Sequence, residues 1–167
     1  MIKSRKFYYS ILLLIFTVCI SISSHVYAQE RFQLLFTDSG VTYKIDSSRF
    51  NITNKDGWSF IDSWLLFEYD SNAVAEKIDQ RKKDGWSIKG FDNLDHSLSH
   101  WTFKVNKDIQ IFLDISQCIY YDHNGKVLDS WTDDIPKWSG VIPNSIGEGI
   151  FFSELNYVMV NTQKPKE

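Results

Sequence analysis

The sequence predicts an α+β domain built on an antiparallel sheet of about six strands with one or two short helices. Apolar and polar residues alternate in several runs, as they do when one face of a strand meets a core and the other meets water. Short turn motifs separate these runs, and strands joined by such turns pair as antiparallel neighbours. Only two segments lack the alternation, and both carry helix-capping residues instead.

Three strands are predicted in the first half of the chain. Residues 32–37 form the first strand, and the turn at residues 38–40 is short enough to join it to the second as a hairpin. Alternation is strict in the second strand, residues 41–46. The third, residues 58–69, has apolar residues at both odd and even positions after Trp64, which indicates a central strand or a β-bulge.

The second half of the chain supplies three more strands. Residues 101–106 alternate strictly, and a short turn leads to the longest alternating run, residues 109–121. One face of this run is apolar: Ile109, Ile111, Leu113, Ile115, Ile119 and Tyr121. Phe112, Cys118 and Tyr120 lie on its other, more polar face, so we expect a helix to cover part of that face. The turn containing Asn124-Gly125 then leads into the sixth strand, residues 126–131.

Two helices are predicted from their capping residues. Asp70 or Ser71 caps the first helix, which ends near residue 83, just before Gly85. The second helix begins after Pro143, where Ser145 and Glu148 have the spacing of a capping box. Gly147 and Gly149 weaken this helix, so the alternative prediction for residues 150–158 is a strand.

The first 28 residues predict a secretory signal peptide. A basic start precedes an apolar run at residues 11–22, and Val26-Tyr27-Ala28 has the residue types of a cleavage site. The alternative is an uncleaved anchor, but the run is shorter than the ~20 residues that span a bilayer. A bulky Val18 directly before Cys19 argues against lipid attachment. We therefore expect export to the periplasm, the cell surface or the medium, with no stable membrane span after cleavage.

Residues 29–160 are predicted to form a single domain, followed by a frayed tail at residues 161–167. Three of the 18 basic residues lie in the leader, and all 21 acidic residues lie after it. The remaining 15 basic and 21 acidic residues give a net charge of −6. An acidic chain without a cluster of Lys and Arg is not expected to bind nucleic acid. Cys118 is the one cysteine beyond the leader, and we expect it to be a small buried hydrophobe, although a disulfide to another chain stays open.

No residue set typical of an enzyme stands out, so we expect no catalytic, metal or cofactor site. Asp92, Asp95, His96 and His100 are close enough in sequence to suggest a metal site. An exposed polar loop explains them better, since a metal site needs a fixed backbone and a further ligand. Ser145 lacks the glycine that a nucleophile elbow requires two residues earlier, and a helix cap explains it more simply.

Tryptophan gives the better case for a binding role. The chain has six tryptophans, more than a small core hides completely. Trp86, Trp131 and Trp138 lie near predicted turns, so we predict that they line a ligand-binding surface, because rigid aromatic side chains bind at a low cost in entropy. The alternative is that they seal the edges of the sheet.

The last third of the chain resembles the bacterial surface-adhesin protein E family. The resemblance lies in the tyrosine-rich strand and glycine turn at residues 118–131, in Trp138, and in the proline-led segment at residues 142–148; residues 42–48 agree more loosely. It implies a sheet-based protein exported to the bacterial surface or periplasm, some of whose relatives bind host matrix proteins. It assigns no binding residue. We therefore expect a non-enzymatic, adhesin E-like protein that binds a macromolecule such as a host matrix protein; the alternative is a periplasmic structural or envelope-maintenance protein without a host ligand.

Overall fold

The predicted α+β class is confirmed by a computed structural model that describes residues 31–162. The predicted leader and the last five residues of the predicted tail lie outside the described residues. The strands are β1 (Phe32–Asp38), β2 (Val41–Lys55), β3 (Trp58–Tyr69), β4 (Leu94–Asn106), β5 (Ile111–Asp122), β6 (Val127–Thr132) and β7 (Ser139–Gly140). The helices are α1 (Ser71–Lys83) and α2 (Ile146–Thr162), and a short 3₁₀ helix lies at Phe91–Asn93.

The strands form one antiparallel sheet in which the spatial order follows the chain, from β1 to β6. The two-residue strand β7 pairs with β5 next to β6, so both share the same side of β5. Four of the five connections from β1 to β6 are short, and strands joined by tight turns pair with each other. The exception is the segment from β3 to β4, which contains α1. Beyond β6, no strand of the described chain continues the sheet.

Both helices pack against the same face of the sheet, which we call the inner face. Ile61, Leu65 and Phe67 of β3 belong to a core that includes Ile150 and Phe151 of α2. These β3 residues are two positions apart or a multiple of two, so they point to one side of the strand. Of the two structures predicted for residues 150–158, the helix is correct, because these residues belong to α2. This helix covers the larger of the two hydrophobic clusters.

Helix α1 covers the remainder of the inner face. Val74 and Ile78 of this helix pack against a second cluster that contains Cys118 and Tyr120 of β5. Asp70 caps the helix, since its carboxylate accepts hydrogen bonds from the backbone N–H groups of Asn72 and Ala73, each at 2.9 Å. Among residues 31–162, no helix is both long and apolar enough to cross a bilayer.

Two strands are longer than the alternation predicts. Strand β2 continues to Lys55 rather than ending at residue 46, and β4 begins at Leu94 rather than at residue 101. The extension of β2 pairs with the first half of β3 through a tight turn at Asp56 and Gly57, both with positive φ. Asp-Gly is a strong hairpin signal, because such a turn needs two residues that adopt this conformation readily.

The face assignment of β5 is wrong beyond its middle. Ser116 has no partner on β4, because His100 pairs with Gln117 and Trp101 pairs with Ile115. This β-bulge shifts the alternation by one residue, so Cys118 and Tyr120 join the inner face together with Ile115. The predicted helix does cover Cys118 and Tyr120. Phe112 lies on the opposite, outer face, and Ile109 falls in the turn before the strand, where it is exposed.

Candidate functional site

The outer face of the sheet carries a stack of one cation and two rings from three neighbouring strands. The Arg49 guanidinium lies 4.7 Å from the centre of the Trp64 ring. The His100 imidazole stacks on Trp64, with ring centres 5.2 Å apart and an interplanar angle of 24°. Trp64 and His100 are directly opposite each other on β3 and β4, which places the two rings side by side. We call these three residues the central stack.

A chain of hydrogen bonds holds His100 in place. Its Nδ1 lies 2.5 Å from the Ser116 Oγ, and its Nε2 lies 3.0 Å from the Asp62 Oδ2. With the proton on Nε2, His100 donates to the Asp62 carboxylate and the Ser116 hydroxyl donates to Nδ1. Thr102 donates a further hydrogen bond to Asp62 at 3.2 Å. The hydrogen bond from His100 is the main reason why the pKa of Asp62 is lowered, so this carboxylate stays charged.

The order Asp62, His100, Ser116 has the residue types of a nucleophilic triad, although the two imidazole nitrogens are exchanged relative to that arrangement. Acyl transfer also needs N–H donors aimed at the developing oxyanion. Strand β4 is paired on both sides, by β3 and β5, so its backbone N–H groups are used in the ladder. The chain of hydrogen bonds links three strands and holds the central stack in place.

A second aromatic cluster on the outer face encloses a lysine. The Lys104 ammonium lies 4.3 Å from the centre of the Trp138 ring, 5.2 Å from that of Trp58 and 5.0 Å from that of Phe112. Phe60 makes an edge contact with Trp138, with ring centres 6.2 Å apart. Trp138 thus reaches this face from the segment between β6 and β7. The rings attract the cation through their negative faces, and Lys104 in turn fixes their positions.

The four residues that suggest a metal site do not come together. His96 and His100 lie on the same side of β4, but a spacing of four residues in a strand separates them by about 13 Å. His96 instead contacts Asp95, with 2.7 Å between Nδ1 and Oδ2, and stacks on Tyr121. Residues 94–100 are a strand, so their interpretation as an exposed loop is wrong. Within the described chain, no group of three His, Cys, Asp or Glu side chains is arranged to hold a metal ion.

Trp86 and Trp131 line one open groove of about 630 Å³ at the β6 edge of the sheet. Arg81 at its base is almost fully buried and forms an ion pair with Asp129 of β6. The Arg81 Nε also donates to the backbone carbonyl of Ser87 at 2.7 Å, which fixes the loop that carries Trp86. We call this the edge groove. The structure therefore brings together two of the three predicted tryptophans, whereas Trp138 lies on the outer face.

Comparison with protein-family models, with characterised proteins and with solved structures gives no significant match. The resemblance to the surface-adhesin protein E family stays a prediction.

The other candidates have structural roles. The Ser145 Oγ accepts the Glu148 N–H at 3.3 Å, which forms one half of the predicted capping box of α2. The Glu148 carboxylate accepts the N–H of Asn144 at 2.8 Å, one residue before the cap, because the Ser145 N–H donates to the Ile142 carbonyl instead. Cys118 is buried, and burial raises the pKa of its thiol.

Sequence reasoning missed the central stack, although a signal for its β3 part was present. Trp58, Phe60, Asp62 and Trp64 occupy the even positions of β3 and therefore share the outer face. Arg49 and His100 join them only through the pairing of β2 and β4 with β3. Alternation within β3 therefore indicates its own outer residues but not the partners beside them.

Proposed function

We propose that this chain is an exported, non-enzymatic, adhesin E-like protein that binds a macromolecule through the outer face of its sheet. The supporting observation is that α1 and α2 both pack on the inner face, while no helix of the described chain covers the outer face. A sheet whose second face carries tryptophan rather than only small polar residues is suited to contact another surface.

The dimensions of the outer face favour a macromolecular ligand. Four adjacent strands, β2 to β5, span about 19 Å, and a strand of the length of β3 extends about 40 Å. The face therefore measures roughly 750 Å², close to the ~800 Å² that each partner buries in a standard protein–protein interface, and the segment that carries Trp138 covers part of its β5 side. The aromatic groups of the central stack and of the lysine cluster lie within this area.

The charges of the outer face are largely compensated. Lys44 and Glu68 form an ion pair at 2.8 Å, and Asp62 is hydrogen-bonded by His100 and Thr102. Such a face does not select a strongly charged partner, so we expect affinity to come from aromatic contact and to depend weakly on salt.

Binding of the purified protein to a panel of immobilised matrix proteins tests the proposal. We expect Trp64→Ala to reduce binding at least tenfold, as expected for a central aromatic contact. Trp86→Ala is the matched control, because it removes the same side chain from the edge groove and leaves the outer face intact. Absence of binding across the panel, or equal losses in both variants, would contradict the proposed site.

The alternative is a periplasmic structural or envelope-maintenance protein without a host ligand, which differs in location rather than in fold. Protease added to intact cells separates the two proposals. An adhesin is degraded under these conditions, whereas a periplasmic protein is degraded only after the outer membrane is opened.

A further inference from the structure

The edge groove lies where helix α1 stops short of the last strand of the sheet. Trp131 of β6 pairs with Cys118 of β5, so its side chain points to the inner face. Asp129, two residues earlier, points to the same side of the strand. Helix α1 packs on the cluster that contains Cys118 but leaves Trp131 37% exposed. Trp86 follows α1 in the chain, also lines the groove and is 54% exposed.

Arg81 holds the base of the groove in a fixed arrangement. Its guanidinium carbon lies 4.0 Å from the centre of the Phe91 ring and 5.4 Å from that of the Trp86 ring. Its nitrogen atoms donate to the Ser87 carbonyl and to the Asp129 carboxylate. The same buried cation therefore positions Trp86 and binds β6. A site held in this way loses little conformational entropy when a ligand binds.

The charges that line the edge groove are compensated within the protein. Asp129 forms its ion pair with Arg81, and Asp133 forms one with Lys137 at 2.9 Å. Arg81, Asp129 and Asp133 are the charged residues of the lining, so the groove offers no charge without a partner in the described chain. A charged ligand would have to compete with one of these pairs, whereas a neutral polar ligand would not.

The backbone of β6 adds hydrogen-bond acceptors to the lining. The Ser130 N–H donates to the Asp129 side chain rather than to β5. Three residues on, the Asp133 N–H donates to the Ser116 carbonyl of β5. Successive residues of a strand direct their backbone groups to alternate sides, so the carbonyl groups of Ser130 and Thr132 point away from β5. Both residues line the groove, and no strand of residues 31–162 pairs with this edge.

This edge is poorly suited to an added peptide strand. The Asp129 carboxylate already accepts the Ser130 N–H, and β6 is short and interrupted by a bulge at Leu128. An added strand needs a regular series of N–H and carbonyl groups, which this edge does not offer. Hydroxyl groups need only single acceptors, and carboxylate and carbonyl oxygens provide these.

We propose that the edge groove binds a neutral glycan, with sugar rings packed against Trp86 and Trp131. The sugar hydroxyl groups donate to the Asp129 carboxylate and to the backbone carbonyl groups of Ser130 and Thr132. A pyranose with equatorial hydroxyl groups fits this lining, because its axial C–H bonds form apolar faces while the hydroxyl groups point outward from the ring. The groove volume of about 630 Å³ lies within the ~300–1,000 Å³ typical of small-molecule sites. The groove lies apart from the outer face, so this inference does not depend on the proposed function.

Isothermal titration of the purified protein with cellotetraose and with the β-1,4-linked tetramer of N-acetylglucosamine tests the proposal. We expect saturable binding of one or both sugars with a Kd of about 0.1–1 mM, because the groove is small and open. Trp131→Ala should weaken binding at least about tenfold, whereas Trp131→Phe keeps an aromatic ring and should retain most of the affinity. Trp64→Ala is the matched control, because it removes the same side chain from the outer face and should leave sugar binding unchanged.

Nuclear magnetic resonance gives a second measurement that needs no variant. The indole N–H signals of Trp86 and Trp131 should shift as the sugar is added, whereas those of Trp58 and Trp64 should not. Matrix proteins stripped of their glycans keep this site apart from the outer face, because they cannot bind through sugars.

Three results would overturn the proposal. The first is the absence of saturable binding of either sugar at concentrations up to about 10 mM. The second is binding that Trp64→Ala weakens and Trp131→Ala does not. The third is tighter binding of a charged probe, either sialyllactose or tetramethylammonium, that Trp131→Ala abolishes, since this would assign the groove to a charged ligand.

Discussion

Replacement of Glu154 by Gln should remove a large pH dependence of stability. Glu154 lies on the inner side of α2 and is fully buried. Its Oε1 accepts a hydrogen bond from the Ser63 hydroxyl at 2.6 Å, but its Oε2 has no partner in the described chain. Burial raises the pKa of Glu154 to about 8, the Ser63 hydrogen bond opposes this, and the charge of Asp62 adds to it. The carboxyl group is therefore mostly protonated in the folded protein at neutral pH.

The sign of the effect follows from the two states of the chain. An ordinary glutamate titrates at 4.5, whereas the folded protein holds the proton up to about pH 8. Folding is therefore favoured fully below pH 4.5, and this contribution is lost as the pH rises from there through about 8. The interval corresponds to 3.5 pH units. At ~1.36 kcal/mol per unit, the free energy of unfolding should fall by up to about 5 kcal/mol.

Urea denaturation followed by tryptophan fluorescence measures this change. The difference in unfolding free energy between wild type and Glu154→Gln should change by several kcal/mol between about pH 5 and about pH 8.5. The amide cannot ionise, so the variant should gain stability relative to wild type as the pH rises. Glu76→Gln, at an exposed position of α1, is the matched control and should track wild type. A difference between wild type and Glu154→Gln that is the same at both ends of the pH range would refute the reasoning.

Three further predictions concern other parts of the fold. Gly40→Ala should lower the unfolding free energy by about 1–3 kcal/mol, because φ at Gly40 is +76° and an added Cβ would clash with the Asp70 carboxylate that caps α1. Urea denaturation measures this, and an unchanged midpoint would contradict it. Lys104→Met should lower the free energy of unfolding by about 1 kcal/mol, because the aromatic cluster loses its cation. Lys107→Met, in an exposed turn, should leave the free energy of unfolding unchanged. Equal effects of the two variants in the same assay would exclude the cation–π explanation. Cys118 should not react with a thiol reagent such as dithionitrobenzoate at pH 8 until urea unfolds the chain, and rapid labelling of the native protein would show that the thiol is accessible.

Local signals were sufficient for most of the fold. The hairpin between β1 and β2 and the turn at Asn124-Gly125 both follow from a short turn between alternating runs. The capping residues Asp70 and Ser145 place both helices. These features depend on neighbours in sequence, so one chain contains the information that specifies them.

The bulge at Ser116 could not be predicted in the same way. Apolar side chains occupy both faces of β5 beyond it, with Ile119 on one side and Cys118 and Tyr120 on the other, so the alternation fits either register. Only the pairing of β5 with β4 shows which residue is extra. A bulge is a property of two strands, and a pattern within one strand does not contain it.

The candidate sites depend even more on long-range contacts. Arg49, Trp64 and His100 come from three strands, and their contact requires the correct register across two strand pairs. Trp86 and Trp131 meet because Arg81 of α1 binds Asp129 of β6. Exposure near turns was enough to select Trp86 and Trp131 as candidates, but it gave no information that they share a groove.

The extra residue in β5 can be lost without exchange of the two faces of this strand. Deletion of Ser116 would restore an unbroken ladder, and Cys118 and Tyr120 would stay on the inner face beneath α1, because each keeps its partner on β4. A homologue with one residue fewer here can therefore keep the same apolar and polar positions on both sides of the missing residue. Comparisons that permit a gap in the middle of this strand should find relatives that ungapped ones overlook.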